Sequence, residues 1–168
     1  MSETKISETK TRSGFVTLLG ATNAGKSTLV NQLVGTKVSI VSHKVQTTRA
    51  LVRGIITEGD AQIVLVDTPG IFKPRRRLDR AVVSTAWSGA KDADFVLFIV
   101  DAERGFAGDA GTILDSLKDS KARNVLVLNK VDRVEPPKLL DLAGYAAQVA
   151  KFEKVFMVSA LNGSGCKD

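Results

Sequence analysis

Apolar residues along this chain fall into two alternating arrangements: short continuous runs, and stretches spaced three and four residues apart. Phe15–Gly20 is a compact apolar run closed by glycine, the pattern of a strand buried on both faces. Leu29, Val30, Leu33 and Val34 then share one helical face before Gly35. Segments 50–57 and 61–67 read as strands, joined through Glu58-Gly59-Asp60, a hairpin signal. A helix is predicted over 78–90, a strand over 94–100, and a helix carrying Ala110, Ile113, Leu114 and Leu117 on one side. A strand over 124–128 follows, then a helix opened by Pro136-Pro137 and running to about Phe152, then a strand over 155–158.

Strands alternating with helices imply a parallel sheet covered on both faces. The predicted fold class is therefore α/β in three layers, with about six strands and one antiparallel edge hairpin. A helix is expected after the last strand, yet the sequence runs there through Gly163-Ser-Gly-Cys-Lys-Asp168. The reading is one domain over 14–168 that lacks its last helix. Residues 1–13, with Ser-Glu-Thr-Lys at both 2–5 and 7–10, read as a disordered tail.

Composition changes this picture little. With 43% apolar and 25% charged residues among 168, the chain falls in the globular class. No apolar run reaches the ~20 residues of a membrane-spanning helix, and the first residues have no secretory apolar stretch. The single cysteine, Cys166, fits a reducing compartment. The net charge of +6 is compatible with nucleic acid, a membrane surface or no specific partner.

The candidate chemistry lies at the predicted junctions. Gly20-Ala21-Thr22-Asn23-Ala24-Gly25-Lys26-Ser27, followed by Thr28, is a G-x-x-x-x-G-K-S loop between a strand and a helix. Its glycines let backbone N–H groups turn toward phosphate oxygens. The helix N-terminus adds partial positive charge, Lys26 reaches the β and γ phosphates, and the Ser27 hydroxyl binds magnesium. Asp67-Thr68-Pro69-Gly70 ends the third strand, where Asp67 can hold magnesium through water and the Gly70 N–H can meet the γ phosphate. Asp141-Leu-Ala-Gly144 has the same D-x-x-G form, but lies inside a predicted helix and is set aside.

Asn129-Lys130-Val131-Asp132 follows the fifth strand and reads as a guanine pocket. Asp132 would accept from N1–H and the 2-amino group of guanine, which adenine cannot offer, and Lys130 would lay its stem along base and ribose. Ser159-Ala160-Leu161 falls at the sheet end where the base must sit, with the Ala160 N–H directed at guanine O6. In Gln46-Thr47-Thr48-Arg49, Thr48, or failing it Thr47, would complete the magnesium shell while the γ phosphate is present. His43 in the same loop reads as solvated. The basic stretch Lys73 to Arg77 with Arg80 reads as a solvated loop, or as a nucleotide-dependent contact to RNA or a following domain.

These five segments, in this order, resemble the Ras-like GTPase superfamily. The pairing of Thr22–Thr28 with Gln46–Arg49 and Asp67–Ile71 is similar to the translation-factor class. Gln46 before the two threonines, and Lys73-Pro74 after the third segment, are most similar to the Era family. The resemblance runs from about Gly14 to Gly165 and implies a Ras-like G domain that binds GTP or GDP with Mg2+ and hydrolyses GTP. It also implies a role in 16S rRNA processing and 30S subunit assembly, a cytosolic site that extends at times to the inner membrane face, and a monomer. Era-like proteins carry RNA binding mainly on a C-terminal KH domain, which nothing in this sequence supplies.

Two departures from the wider family bear on chemistry. Ras-like enzymes place a water-orienting glutamine after the D-x-x-G glycine; here that residue is Ile71, with no hydrogen-bonding side-chain atom, so intrinsic hydrolysis is expected to be slow. Relatives with asparagine at the position of Asn23 bind K+ between the phosphates, which implies the same role here. Lys26, Thr48, Gly70 and Asn23 are thus the candidate catalytic group, with Arg49 and Arg75–Arg77 nearby as further cations. The rival readings are an ATP-using P-loop protein, opposed by Asp132; a nucleotide-gated binding module with negligible turnover; and a Der-like or tRNA-modifying relative.

Overall fold

The structure is a computed structural model, and it describes residues 12–35, 51–67 and 93–167. Six strands form one sheet: β1 (Arg12–Leu19), β2 (Leu51–Glu58), β3 (Ala61–Asp67), β4 (Phe95–Asp101), β5 (Arg123–Asn129) and β6 (Lys154–Val158). Their order is β2-β3-β1-β4-β5-β6; β2 and β3 are antiparallel and the other pairings are parallel. The predicted three-layer α/β fold with an edge hairpin is what forms. Gly59 turns the hairpin at a left-handed φ of 56°, a conformation open to glycine at little cost.

Helix α1 (Lys26–Val34) covers one face, packing Leu29, Val30 and Val34 with Leu18, Leu65, Ile99 and Val127. Helices α2 (Asp109–Ser116) and α3 (Pro136–Val149) cover the other, where Ile113, Leu114, Leu139 and Ala146 meet Val96, Phe98, Val100, Leu126 and Leu128. The inner strands are apolar on both sides because helices lie on both sides. Each fully buried leucine, isoleucine or phenylalanine contributes roughly 1.5–3 kcal/mol, which makes the central strands β1, β4 and β5 the most firmly held part of the sheet.

The start of the first strand differs from the sequence reading. Arg12 and Ser13, placed in the tail, open β1 instead, opposite Ala61 and Gln62, and the Arg12 N–H donates to the Asp60 carbonyl at 2.8 Å. Neither side chain is apolar, so the pattern had no signal there; backbone pairing with β3 extends the strand. The predicted helix over 78–90 and the residues around Gln46–Arg49, Thr68–Ile71, His43 and Lys73–Arg80 lie outside the described residues. Among the described residues, no helix is long and apolar enough to cross a membrane.

Candidate nucleotide-binding site

The parallel strands end along one edge, and their registers fix what meets there. Leu18 of β1 lies opposite Asp67 of β3, and Asp101 of β4 lies opposite Asn129 of β5, itself beside Val158 of β6. The phosphate loop, the D-x-x-G aspartate, the base loop and the Ser159-Ala160-Leu161 turn therefore leave the sheet side by side. A crevice at the carboxyl ends of parallel strands is where α/β sheets take ligands.

The phosphate loop is shaped by its glycines. A Cβ at Gly20 would sit 2.6 Å from the Ile99 carbonyl oxygen, so only glycine lets β1 and β4 stay paired here. Gly25 has φ +94°, and a Cβ there would collide with the Asn129 side-chain amide. No side chain caps the N-terminus of α1 at Gly25. Its first N–H groups are thus left facing the loop, the arrangement that binds phosphate. Lys26 is buried, and its ammonium donates to the Gly20 carbonyl at 3.0 Å and the Ala21 carbonyl at 3.2 Å. Ser27 and Thr28 on the first turn of α1, and Thr22 and Asn23 in the loop, are exposed, while Ala24 is buried.

Asn129 ties the loops together. It is 2% exposed; its amide donates to the Ala24 carbonyl at 3.0 Å, and its carbonyl accepts from the Ala160 N–H at 3.0 Å. The sequence reading aimed that N–H at guanine O6; the structure gives it to Asn129, because the buried amide oxygen needs a donor and Ala160 is the adjacent one. Lys130 sits in the left-handed region at φ 67° and its ammonium reaches the Asn23 carbonyl at 3.0 Å and the Asp101 carboxylate at 2.6 Å. Val131–Arg133 form a 3₁₀ turn in which the Asp132 carboxylate is 27% exposed, with the Arg133 Nε 4.0 Å away.

Asp101 is the site residue that sequence reasoning missed. The strand prediction stopped at Val100, yet β4 continues through Asp101, whose carboxylate also accepts from the Glu103 N–H at 2.9 Å and the Arg104 N–H at 3.4 Å. Burial pushes its pKa up, but the Lys130 hydrogen bond, the Lys130 charge and the two N–H donors outweigh it and hold the pKa below the usual 3.8. The available signal was a strand-end aspartate before a turn ending in glycine, the same placement that singled out Asp67.

These residues fit a purine nucleotide with magnesium. The buried Ser159 hydroxyl has no hydrogen-bond partner, an orphan at the strand end where the base and Asp132 would lie. Leu161, by contrast, points its side chain to solvent at 74% exposure. Ser27 stands on the first turn of α1, at the end of the phosphate loop, and Asp67 ends β3 opposite Leu18 of β1. Thr48, Thr68, Pro69, Gly70 and Ile71 lie outside the described residues. Among the described residues no group of three or more histidines, cysteines and carboxylates gathers as a metal cluster.

A 50S ribosome-binding GTPase family model matches residues 15–130, from the first strand through the base loop. The chain belongs to that family. GTPase Era of Brucella suis is 71% identical over 160 residues, covering 95% of this chain and 51% of that protein. The crystal structure of Era in complex with MgGDPNP and nucleotides 1506–1542 of 16S ribosomal RNA superposes with a TM-score of 0.75 at 35% identity, covering 90% of this chain and 52% of that one. A variant of Aquifex aeolicus Era bound to GDP.AlF4- gives a TM-score of 0.72 at 34% identity, with the same coverage. The Era resemblance expected from Gln46–Arg49 and Lys73-Pro74 is thus met within the family. The chain spans about half the length of the Era relatives it matches.

Proposed function

We propose that this family member binds and hydrolyses GTP, as the nucleotide switch of an Era-type protein. The observation that carries the reading is Asn129: one buried amide joins the phosphate loop at Ala24 to the base-edge turn at Ala160. Phosphate and base recognition are thereby built as one unit. Asp132, at the base end of that unit, supplies a carboxylate that suits guanine and repels adenine; discrimination of roughly 10⁴–10⁵ is typical of such a site.

In the chemistry, this chain's residues bind, orient and neutralise. The loop N–H groups from Asn23 to Thr28 and the Lys26 ammonium hold the phosphates against the helix N-terminus. Ser27, Thr48 and, through water, Asp67 would hold magnesium, which supplies positive charge to the terminal phosphates when bound. The Gly70 N–H would meet the γ phosphate. Ile71 offers the attacking water no hydrogen bond, so turnover is slow. By the Era resemblance, Asn23 would hold K+, which would supply the positive charge an arginine finger otherwise brings.

At the level of the whole protein, the proposed role is in 16S rRNA processing and 30S assembly, in the cytosol and at times at the inner membrane face. The Era structure that holds 16S ribosomal RNA and MgGDPNP together supports the ribosomal part of this reading. A binding module with negligible turnover is the second reading, favoured by Ile71 alone. Titrating GTP and ATP against the purified chain, while following phosphate release in the same samples, tests both. Tight GTP binding with slow release of phosphate is expected; equal affinity for ATP would overturn the guanine site, and GTP binding without any release would leave only the module.

A further inference from the structure

Two straps join the base loop to the phosphate loop. Asn129 makes one of them, to Ala24. The second runs through Lys130 to the carbonyl of Asn23, and it has an anchor outside both loops: the Asp101 carboxylate at the end of β4. Asn23 needs such support, because it is held at φ 65°, a left-handed conformation unfavourable for a residue with a Cβ, though less so for asparagine.

Asp101 is built to hold a cation in one place. It is 8% exposed, one oxygen is fixed by the Glu103 and Arg104 N–H groups, and the other faces the Lys130 ammonium. The turn it closes is tied to the base loop a second time by an Arg133–Glu103 ion pair at 3.6 Å, and to the first turn of α3 by Lys138 Nζ donating to the Glu103 carbonyl at 2.7 Å. An ammonium with two fixed acceptors keeps its four-carbon stem stretched along the floor where base and ribose would rest. Without the carboxylate, the ammonium would swing to solvent, and both the stem and the Asn23 carbonyl would lose their fixed positions.

We propose that Asp101 is a positioning residue for the bound nucleotide: its carboxylate fixes the Lys130 ammonium against the Asn23 carbonyl and so holds the phosphate loop closed under its ligand. The inference rests on the guanine-nucleotide reading. Because Asp101 acts through Lys130 and touches no base atom, it governs how long a nucleotide stays and leaves which base is chosen to Asp132.

The test is dissociation of fluorescent GDP and GTP analogues, followed by stopped flow after mixing with excess unlabelled nucleotide. Asp101→Asn keeps the acceptor for the turn N–H groups and replaces the charged oxygen that faces Lys130 by an uncharged amide donor. It is expected to speed release of both nucleotides about tenfold, equivalent to ~1.4 kcal/mol, while the preference for GTP over xanthosine triphosphate stays unchanged. In a Lys130→Met background the same change is expected to alter release by less than about twofold, since coupled residues are not additive. Asp101→Glu, which keeps the charge on a longer arm, should restore most of the retention. Release within twofold of wild type in Asp101→Asn would overturn the proposal. So would acceleration that persists after Lys130→Met, because the residue would then be acting through the turn alone. If Asp101→Asn does not fold, Asp101→Glu is judged on the same Lys130→Met criterion. A wild-type chain that retains no guanine nucleotide would instead refute the reading beneath it.

Discussion

Replacing Asn129 by alanine is expected to destabilise the ligand-free chain by about 2–4 kcal/mol, before any nucleotide is added. The amide is 2% exposed and makes two bonds at 3.0 Å, to the Ala24 carbonyl and from the Ala160 N–H. Truncation orphans both backbone groups, each buried polar group left unpaired costing roughly 1–3 kcal/mol. Water entering the vacated space recovers part of the upper limit. A small domain has only ~5–15 kcal/mol in total, so this one side chain holds a sizeable share. Urea unfolding followed by circular dichroism reads the change as a shift in midpoint at constant slope. A second variant tests the geometry. Gly25→Ala places a Cβ against that same amide at φ +94°. In the Asn129→Ala background it should therefore cost only the left-handed backbone, of order 1–2 kcal/mol. A midpoint for Asn129→Ala within error of wild type would refute the view that one amide holds the two loops together. Strict additivity of the two substitutions would refute the steric link between them.

Three further outcomes are expected, the second of them from the Era resemblance. Asp132→Asn is expected to weaken GTP binding at least tenfold, about 1.4 kcal/mol, and to improve relative binding of xanthosine triphosphate; unchanged GTP affinity in a nucleotide titration would place the base pocket elsewhere. Turnover in matched buffers should be faster in K+ than in Na+, and Asn23→Ala should abolish the difference with GDP affinity kept; equal wild-type rates would end the K+ assignment. Asp101 has a folded pKa held below 3.8, so its contribution to stability is complete above that value and is lost as pH falls through the lower folded value. Acid unfolding monitored below pH 4 should accordingly be less steep in Asp101→Asn, and an identical acid limb would contradict the assigned direction.

Much of the fold was legible because burial writes itself into spacing. Leu29, Val30 and Val34 repeat at helical intervals, and the runs in β4 and β5 are apolar on both sides of the sheet. The phosphate and base loops were legible because glycine, lysine and carboxylate at fixed offsets have few other uses. What escaped was set by partners distant in the chain. Nothing in Arg12 or Ser13 announces pairing with Ala61 and Gln62. Nothing local says that the Ala160 N–H is taken by Asn129, or that an aspartate one residue past a predicted strand anchors a lysine 29 positions later. Such roles depend on strand order, which periodicity does not encode.

The described site residues leave the sheet at its carboxyl edge, and the opposite rim carries none of them. That rim is formed by the Gly59 hairpin, the Ala93-Asp94 entry to β4, the turn from Lys118 to Ala122 and the bend at Lys151–Glu153. Strands of about seven residues separate it from the nucleotide edge by roughly 20 Å. Labels, immobilisation tethers or spliced reporter segments placed at Gly59 or Lys121 should therefore leave ligand affinity intact. The protein could be watched or captured from one end while it works at the other.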